Sequence, residues 1–496
     1  MTRAPWAFPL IVFLATLAWA LRPIWDIDVW WHMALGRHIL AHGLPETDVL
    51  GVVPMPWRTF QGGYEVFVAW LDGVGGLGLV RLVHALAVAG GMTLLGVTAR
   101  KVSGSTVVAV AFLCIAVVLY EDRVRVRPHV FNLLFIAALL PVVVEQRRRL
   151  WELCWIGPLM ALWGAFHGPA SLWGLALLGT VAVVKPLDWR GWVQVAAPAG
   201  AMALVPGVVA GMRGAAQVHT TGRMQELFVP EHWPLRAYLD AGLGAHGVVV
   251  PALVVGILLA AAVVSGRALR GLDGEHRHDG ALAPRGTSAP ESLTLAAAGM
   301  GLFSILMARF AWFSLIPLLK TLRGARFGGR TAWTALVLCA TLATWDLSTY
   351  VLPRWRDVDP WTTDVQPGAF PEAAAEVLAR AGIEGRVFPD SQWGGYLLWR
   401  LHPGVRVLTD GRIAFPERAG EMLLDFRRSH REAHLDEAHA LWGIDLAVMR
   451  TPAFAPGRPP ARWALLWADP VAEVWARKDA ALAGRRQAVA AAFDDR

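Results

Sequence analysis

Eleven apolar segments constrain the fold of this chain more than any other feature of its sequence. Several are shorter than the roughly 20 residues that cross a bilayer, so we expect their ends to extend into amphipathic neighbours and the segment near 310–320 to be re-entrant or broken. The pattern predicts a polytopic α-helical membrane protein with about eleven transmembrane helices. The segments are 6–22, 77–99, 105–120, 129–144, 151–166, 170–185, 192–210, 247–264, 291–308, 310–320 and 331–351.

The composition agrees with a membrane protein. Only 17% of the residues are charged and the mean hydropathy is +0.43, whereas a soluble protein carries about 25% charged residues. The net charge is +7. In a polytopic protein such an excess holds cytoplasmic loops against the inner leaflet, so we expect a lipid bilayer and no nucleic acid as partner.

The distribution of basic residues predicts the orientation of the spans. With the N-terminus in the cytoplasm, every second loop is basic and nearly every one is short, as the positive-inside rule requires. An odd number of spans then places the C-terminal part outside. The basic loops contain Arg100 and Lys101, Arg147 to Arg149, Lys185 and Arg190, Arg267 and Arg270, and Lys320 to Arg330.

Beyond about residue 354 the composition changes and charged residues return. Short apolar runs alternate with helix-like stretches at 371–381 and 416–441, which is typical of a small α/β domain. We therefore predict a transmembrane domain over 1–353 and an extracytoplasmic α/β domain over 354–496, with a flexible cytoplasmic loop at 271–290. The candidate strands are Arg386–Pro389, Val405–Thr409, Leu446–Met449, Ala464–Trp467 and Val471–Ala476.

Two aspartates, Asp26 and Asp28, follow the first apolar segment, flanked by Trp25, Trp30 and Trp31. Two carboxylates at this spacing can hold a divalent cation, or one can act as a general base while the other orients a substrate hydroxyl. The alternative is a solvated loop start after a helix. Because a carboxylate within a span is costly, we expect this pair in an aqueous mouth, with the tryptophans as interfacial anchors.

Three alternating arginines, Arg123, Arg125 and Arg127, lie in the next outer loop and break the positive-inside trend. Arginine is suited to bidentate recognition of phosphate. Alternation would put all three on one side of an extended strand. Binding of a lipid phosphate and pairing with acids such as Glu121 or Asp122 both remain open.

Further ionisable residues lie at the predicted outer ends of spans. Arg309 separates two apolar segments, where an ionisable residue is a functional candidate. His167 lies in a predicted tight hairpin, where a structural role is the alternative. The set also includes His32, Arg37, Glu65, Glu226 and Glu231.

Several motifs together resemble bacterial polytopic proteins of the GT-C superfamily of membrane glycosyltransferases. The motifs are DIDVWWH at 26–32, GRHILAHGLPETD at 36–48, RPH at 127–129, WGAFHG at 163–168, WGGYLLWR at 393–400 and TDGR at 409–412. The resemblance covers most of the chain. It implies that Asp26 or Asp28 is the first-loop carboxylate, and that Glu121 and Asp122 are candidate second-loop acids. Only Glu65 of the expected H-E-W is retained.

The resemblance implies transfer of a sugar from a polyprenyl-phosphate donor to a lipid, glycan or protein acceptor at the outer face of the bacterial inner membrane. Asp28 and Asp26 are the expected catalytic residues and the candidate ligands of Mg²⁺ or Mn²⁺. A non-catalytic polyprenyl-lipid or polysaccharide transporter or scaffold is the alternative. A third hypothesis puts an enzyme in the C-terminal domain, with Asp390, Asp410 and Arg412. The expected substrate- or lipid-phosphate-binding residues are His32, Arg37, Glu65, Arg123, Arg125, Arg127, His167 and Arg309.

Overall fold

The computed structural model describes residues 5–220, 235, 244–269, 291–324, 328–356, 358–390, 392–454, 460–478 and 482–494. The predicted loop at 271–290 and the candidate acids Glu226 and Glu231 lie outside these ranges. The chain forms two compact units. Unit 1 comprises Met1–Arg22, Leu82–Pro206 and Gln225–Asp359, and unit 2 comprises Pro23–Arg81, Gly207–Met224 and Pro360–Arg496.

Unit 1 is helical wherever the predicted apolar segments fall in it. Short 3₁₀ segments occur at Glu121–Arg123, Leu150–Glu152 and Ala308–Ser314, and a π-helical turn at Leu347–Val351. The 3₁₀ segment at Ala308–Ser314 interrupts the helices where the sequence predicts a broken span. The helices are Ala7–Ala20, the C-terminal part of Gly62–Ser103, Thr106–Tyr120, His129–Glu145, Leu153–Val184, Trp189–Ala203, Gly244–Leu269, Ser292–Leu306, Leu315–Gly324, Gly329–Asp346 and Leu352–Trp355.

The helix at Leu153–Val184 folds back on itself at His167. His167 has the non-helical angles φ −156° and ψ 77°. A Cβ on Gly174 would lie 2.6 Å from the Trp163 ring and 2.7 Å from the Met160 sulfur. On one straight helix, residues 11 positions apart would be separated by about 16 Å. The segment is therefore the helical hairpin that the sequence predicts.

The length and composition of the helices decide which of them can cross a membrane alone. Within the described ranges, three helical stretches are long and apolar enough by length and composition: Gly62–Ser103, Leu150–Val184 and Gly247–Ser265. The second of these contains the hairpin at His167 and is therefore not one straight span. A fourth results if the bent pair Trp189–Ala203 and Val208–Gly214 forms one span. Shorter apolar helices lie at Ala7–Ala20, His129–Glu145 and Ser292–Leu306. The number of about eleven spans stays a prediction.

Unit 2 contains a five-stranded sheet with the strand order β2-β1-β3-β5-β4. The strands β1 to β3 pair in parallel, and β5 pairs antiparallel with both β3 and β4. Each strand coincides, within about two residues, with one of the predicted apolar runs. The strands are β1 Gly385–Pro389, β2 Val405–Val407, β3 Leu446–Arg450, β4 Trp463–Ala468 and β5 Ala472–Arg477.

The helices of unit 2 come from both ends of the chain. An N-terminal helix, here called the first-loop helix, spans Asp28–His42. The predicted helix-like stretch at 416–441 consists of two helices. The remaining helices are the start of Gly62–Ser103, Val208–Thr220, Glu372–Arg380, Gly394–Leu401, Glu417–Ser429, Glu432–Trp442 and Leu482–Asp494.

The first-loop helix shares a hydrophobic core with the C-terminal part of the chain. The Trp30 ring lies 5.0 Å from the Phe370 ring and 4.9 Å from the Tyr396 ring, both edge-on. Trp30 is 0% exposed and Trp31 is 4% exposed. The prediction that these two tryptophans are interfacial anchors is therefore wrong, because protein atoms surround their indoles.

Candidate functional site

The two first-loop aspartates have different surroundings. Asp26 is buried, and its Oδ1 accepts a hydrogen bond of 2.9 Å from the backbone N–H of Asp28. This contact forms an Asx turn that leads into the first-loop helix. Asp28 is the first residue of that helix and is partly exposed. The positive end of the helix dipole stabilises the carboxylate of Asp28. Because Asp28 is partly exposed and Asp26 is buried, Asp28 is the one of the two that can meet a reactant.

A second cluster of charged residues forms around Arg412 of the loop 409–412, here called the TDGR loop. The Arg412 guanidinium contacts Asp410 at 2.5 Å and Asp48 at 2.5 Å. Its side chain is 1% exposed, and those of Asp48 and Asp410 are 0% and 3% exposed. Asp48 also accepts hydrogen bonds from the backbone N–H groups of Leu50 and Gly51. We call Asp48, Asp410 and Arg412 the buried triad.

The charges of the buried triad do not cancel, because one guanidinium faces two carboxylates. Burial alone would lower the pKa of Arg412, but Asp410 and Asp48 outweigh burial and raise that pKa above its ordinary value. The guanidinium therefore stays charged and fully engaged. A cation enclosed in this way does not serve as a phosphate-binding group.

The backbone of the TDGR loop approaches the Asp28 carboxylate directly. A Cβ built on Gly411 would overlap Asp28 Oδ1 and lie 3.3 Å from Trp31 Nε1. Unit 2 thus brings Asp28, from the N-terminal part of the chain, against a loop nearly 400 residues later. The partly exposed Asp28 therefore lies next to a loop that the ion pairs of Arg412 hold in place.

His32 and Glu65 contact each other in the interior of unit 2. His32 Nδ1 lies 3.6 Å from Glu65 Oε1, and the Thr59 hydroxyl donates a 2.7 Å hydrogen bond to the same oxygen. The side chains of His32 and Glu65 are 2% and 0% exposed. Side chains buried to this degree cannot contact a lipid phosphate in this conformation. The predicted binding of substrate by His32 and Glu65 therefore finds no support in their exposure and stays a prediction.

Arg37 is tied to two other parts of unit 2. Its guanidinium lies 2.6 Å from Asp72 and donates a 2.8 Å hydrogen bond to the carbonyl of Trp399. The Trp399 indole N–H donates to the same Asp72 carboxylate. The Arg37 side chain is half-exposed. These contacts join three helices, and binding of phosphate by Arg37 also stays a prediction.

In unit 1, Glu121 forms an ion pair with Arg22. The Arg22 guanidinium contacts both oxygens of Glu121, at 2.5 and 2.9 Å, and the Trp19 indole N–H donates to the same carboxylate at 3.1 Å. Arg22 and Glu121 are buried. Glu121, a candidate second-loop acid by resemblance, has a structural partner that the sequence analysis did not identify.

The arginine segment at 123–127 is not the extended strand that alternation predicts. Arg123 ends a 3₁₀ helix and is buried, and two successive i→i+2 hydrogen bonds follow, from Arg125 N–H to the Arg123 carbonyl and from Arg127 N–H to the Arg125 carbonyl. Such bonds close γ-turns. Val124 and Val126 are buried while Arg125 and Arg127 are partly exposed. The prediction of three arginines on one side of a strand is therefore wrong.

His167 and Arg309 lie at breaks in the helices of unit 1. His167 Nδ1 is 3.1 Å from the Asn132 amide nitrogen, and Asn132 in turn accepts a hydrogen bond from the Trp163 indole. The Arg309 guanidinium lies 5.9 Å from the Phe310 ring, within the 3₁₀ segment. The contacts of His167 support the structural alternative that the sequence left open. Substrate binding by both residues stays a prediction.

Metal ligands are few in the described part of the chain. There, no group of three or more His, Cys, Asp or Glu side chains is arranged to hold a metal ion. Asp26 and Asp28 supply two carboxylates, one of whose oxygens already accepts a backbone hydrogen bond. Ca²⁺ and Mg²⁺ take six or more oxygen ligands, so water or substrate oxygens would have to complete such a site.

Sequence reasoning missed Asp48 as a member of the site. Asp48 ends the motif GRHILAHGLPETD and Asp410 belongs to TDGR, so both lay in recognised motifs. No spacing rule links them, because they are separated by more than 360 residues. Asp410 and Gly411 read simply as a turn after a strand, and only the fold reveals the contact with Arg412.

Comparison with known proteins identifies the fold. No family model matches the sequence, and no curated protein matches it. Solved structures of similar fold include the oligosaccharyltransferase AglB of Archaeoglobus fulgidus, in complex with an inhibitory peptide and a dolichol-phosphate. The identity is 11%, the TM-score is 0.54, and the match covers 90% of this chain and 70% of AglB. Another structure of that enzyme contains zinc and sulfate.

Two further structures are bacterial. ArnT of Cupriavidus metallidurans, bound to undecaprenyl phosphate, has a TM-score of 0.50 at 15% identity, covering 95% of this chain and 96% of ArnT. The arabinofuranosyltransferase AftD from Mycobacteria has a TM-score of 0.56 at 16% identity, covering 96% of this chain and 40% of AftD. These three proteins are GT-C glycosyltransferases. The chain therefore has the GT-C fold, as its motifs suggest.

Proposed function

We propose that this protein is a glycosyltransferase of the bacterial inner membrane. It moves a sugar from a polyprenyl-phosphate donor to a lipid, glycan or protein acceptor at the outer face. The observation that carries the proposal is the partly exposed Asp28 carboxylate, at the start of a helix and against the TDGR loop. The GT-C fold supports the reaction class, because its members named above include structures with dolichol-phosphate and undecaprenyl phosphate.

Asp28 is the general base in this proposal. The acceptor hydroxyl gives its proton to the Asp28 carboxylate as its oxygen forms a bond to the anomeric carbon. The bond from that carbon to the phosphate oxygen breaks, and polyprenyl phosphate leaves with the electron pair. Asp26 takes no part in this proton transfer, because its carboxylate is buried and caps the turn before the helix.

The phosphate of the donor needs cationic groups to stabilise the charge that develops as it leaves. In unit 2, Arg412 is enclosed by two carboxylates and Arg37 is paired with Asp72. Arg412 is thereby excluded, and the candidates for this role remain the arginines that the sequence predicts, which are Arg37, Arg123, Arg125, Arg127 and Arg309. If Mg²⁺ or Mn²⁺ is required, Asp26 and Asp28 are the pair to hold it, and the ion would offset phosphate charge.

The test uses the full-length protein in proteoliposomes with a polyprenyl-phosphate donor that carries a radiolabelled sugar. Asp28→Asn should lower the transfer rate by roughly 10²–10⁴-fold, the usual contribution of a general base. Asp26→Asn should have a much smaller effect on the rate, since Asp26 acts through the turn. Glu417→Gln is a matched control, because Glu417 is an exposed acid at the first position of another helix.

Two results decide between this proposal and its alternatives. Full activity of Asp28→Asn in folded protein would contradict catalysis by the first loop. Binding of polyprenyl phosphate by the wild-type protein without any sugar turnover would favour the non-catalytic transporter or scaffold. The third hypothesis, an enzyme confined to the C-terminal domain, lacks support, because Asp410 and Arg412 are enclosed in the buried triad.

A further inference from the structure

The conformation of Gly411 does not itself require glycine. Gly411 is not among the glycines with positive φ, of which the nearest in sequence are Gly385 and Gly443. An L-residue could adopt this backbone. A side chain at position 411 would instead force the Asp28 carboxylate to move, because Asp28 Oδ1 occupies the space that a Cβ would need.

The TDGR loop is fixed at both of its ends. Before the loop, Val407 of β2 bridges to Gly51, and its carbonyl accepts a 2.9 Å hydrogen bond from the N–H of Val52. After it, Arg412 is clamped by Asp410 and Asp48. Gly411 therefore has little freedom to move away from Asp28.

The residue after the loop is strained. Ile413 has φ 58°, in the left-handed region that a β-branched residue rarely adopts. Such a conformation costs free energy and persists only where the surroundings impose it, which is common at functional sites. The strain at Ile413 agrees with a TDGR loop held in place by contacts on both sides.

We infer that Gly411 and Arg412 are positioning residues for Asp28. Arg412 holds the loop through the buried triad, and the bare backbone of Gly411 presses against Asp28 Oδ1 and limits the rotation of the carboxylate. Asp28 is thereby kept in one orientation towards the acceptor hydroxyl. The catalytic part of this inference rests on the proposed function, whereas the contact between Gly411 and Asp28 does not.

The contact is tested by the thermal stability of the full-length protein in detergent. Gly411→Ala should lower the apparent Tm in the wild-type background, because the new methyl group forces the Asp28 carboxylate out of its position. In the Asp28→Ala background the carboxylate is gone, so the same substitution should lower the Tm much less. Gly484→Ala is the control, since a Cβ there meets open space.

Equal losses of Tm in both backgrounds would overturn the contact. If Gly411→Ala alone does not fold, the double variant decides the matter: recovery of folded protein supports the contact, and failure to recover contradicts it.

The positioning role is tested by kinetics with the radiolabelled donor. Gly411→Ala should lower kcat by roughly 10²-fold with little change in KM for the donor, as expected when a reacting group is misplaced by about 1 Å. A wild-type rate in folded Gly411→Ala would overturn the positioning role while leaving the proposed function intact. Absence of transfer by the wild-type protein would overturn the proposed function, and the Tm comparison would still decide whether the contact exists.

Discussion

The two units each bury an arginine against carboxylate, but with different stoichiometry. In unit 1, Arg22 contacts both carboxylate oxygens of Glu121, and the Trp19 indole N–H donates to the same carboxylate. In unit 2, Arg412 faces both Asp48 and Asp410. Arg22 and Glu121 contribute one charged group each, whereas the buried triad has two carboxylates on one guanidinium, next to the loop that touches Asp28.

We interpret the Arg22–Glu121 pair as a purely structural contact and the buried triad as a contact that also holds the catalytic region in place. Replacing a neutral buried pair by apolar residues is often tolerated, because the desolvation penalty disappears along with the attraction. The buried triad is attached to the TDGR loop, so its removal would release Gly411 as well. We expect stability and activity to depend on the two clusters in different ways.

The largest expected effect is that of Arg412→Met. It leaves two uncompensated carboxylates in the interior of unit 2, and removal of one partner of a buried pair costs about 3–5 kcal/mol of unfolding free energy. Arg418 is the matched control, because it also contacts two carboxylates, those of Glu437 and Glu421, but is half-exposed. Arg418→Met should cost much less stability, because an ion pair at the surface contributes little.

Thermal unfolding of both variants measures this difference. Similar Tm losses for Arg412→Met and Arg418→Met would mean that burial of the triad contributes nothing, and the comparison between the units would fail.

The next effect concerns the Arg22–Glu121 pair of unit 1. Arg22→Met alone should cost about 3 kcal/mol or more, because Glu121 is left charged and buried. The double variant Arg22→Met with Glu121→Leu should recover most of this loss. Sugar transfer measured on the double variant then tests the resemblance-based role of Glu121: normal transfer marks the pair as structural, and a folded but inactive protein marks Glu121 as catalytic.

The smallest effect is a pH dependence near the buried triad. Burial, followed by the charges of His38, Arg406 and Arg412, lowers the pKa of His402 from 6.5 to about 4. The unfolded chain therefore binds a proton between about pH 6.5 and 4 that the folded protein does not. The stabilisation by neutral His402 is complete above pH 6.5 and is lost as the pH falls towards 4.

Because His402 is partly exposed, we expect roughly 1 kcal/mol of pH-dependent stability after allowance for solvent screening. The free energy of unfolding of the His402→Gln variant should therefore change less between pH 7 and pH 4.5 than that of the wild-type protein. The same pH dependence in both proteins would assign the effect to other groups.

The secondary structure was largely predictable because it depends on local pattern. The apolar runs at 129–144 and 247–264 lie in the helices His129–Glu145 and Gly244–Leu269, and the short run Leu446–Met449 lies in β3. The arginine segment was not predictable in the same way. Val124 and Val126 are buried and alternate with the partly exposed Arg125 and Arg127, but turns produce that alternation without a strand, and Arg123 is buried at the end of a 3₁₀ helix.

The candidate site was only half predictable. Asp26 and Asp28 stood out because paired acids after an apolar segment are costly to maintain without a role. Sequence could not separate them, since their difference depends on a backbone hydrogen bond that buries Asp26 and leaves Asp28 partly exposed. The location of Trp30 could not be predicted for a similar reason. An indole has a large apolar surface and one N–H donor, so it suits both a membrane interface and a protein core.

By itself, the sequence determined the helical membrane architecture, the strands of the C-terminal region and the acids of the first loop. These features follow from hydropathy, periodicity and charge over short stretches of chain. Only the tertiary structure decided that Asp48 and Arg412 form a buried triad and that Gly411 meets Asp28. Contacts between residues hundreds of positions apart leave no periodic signal, because they arise from packing of the folded chain.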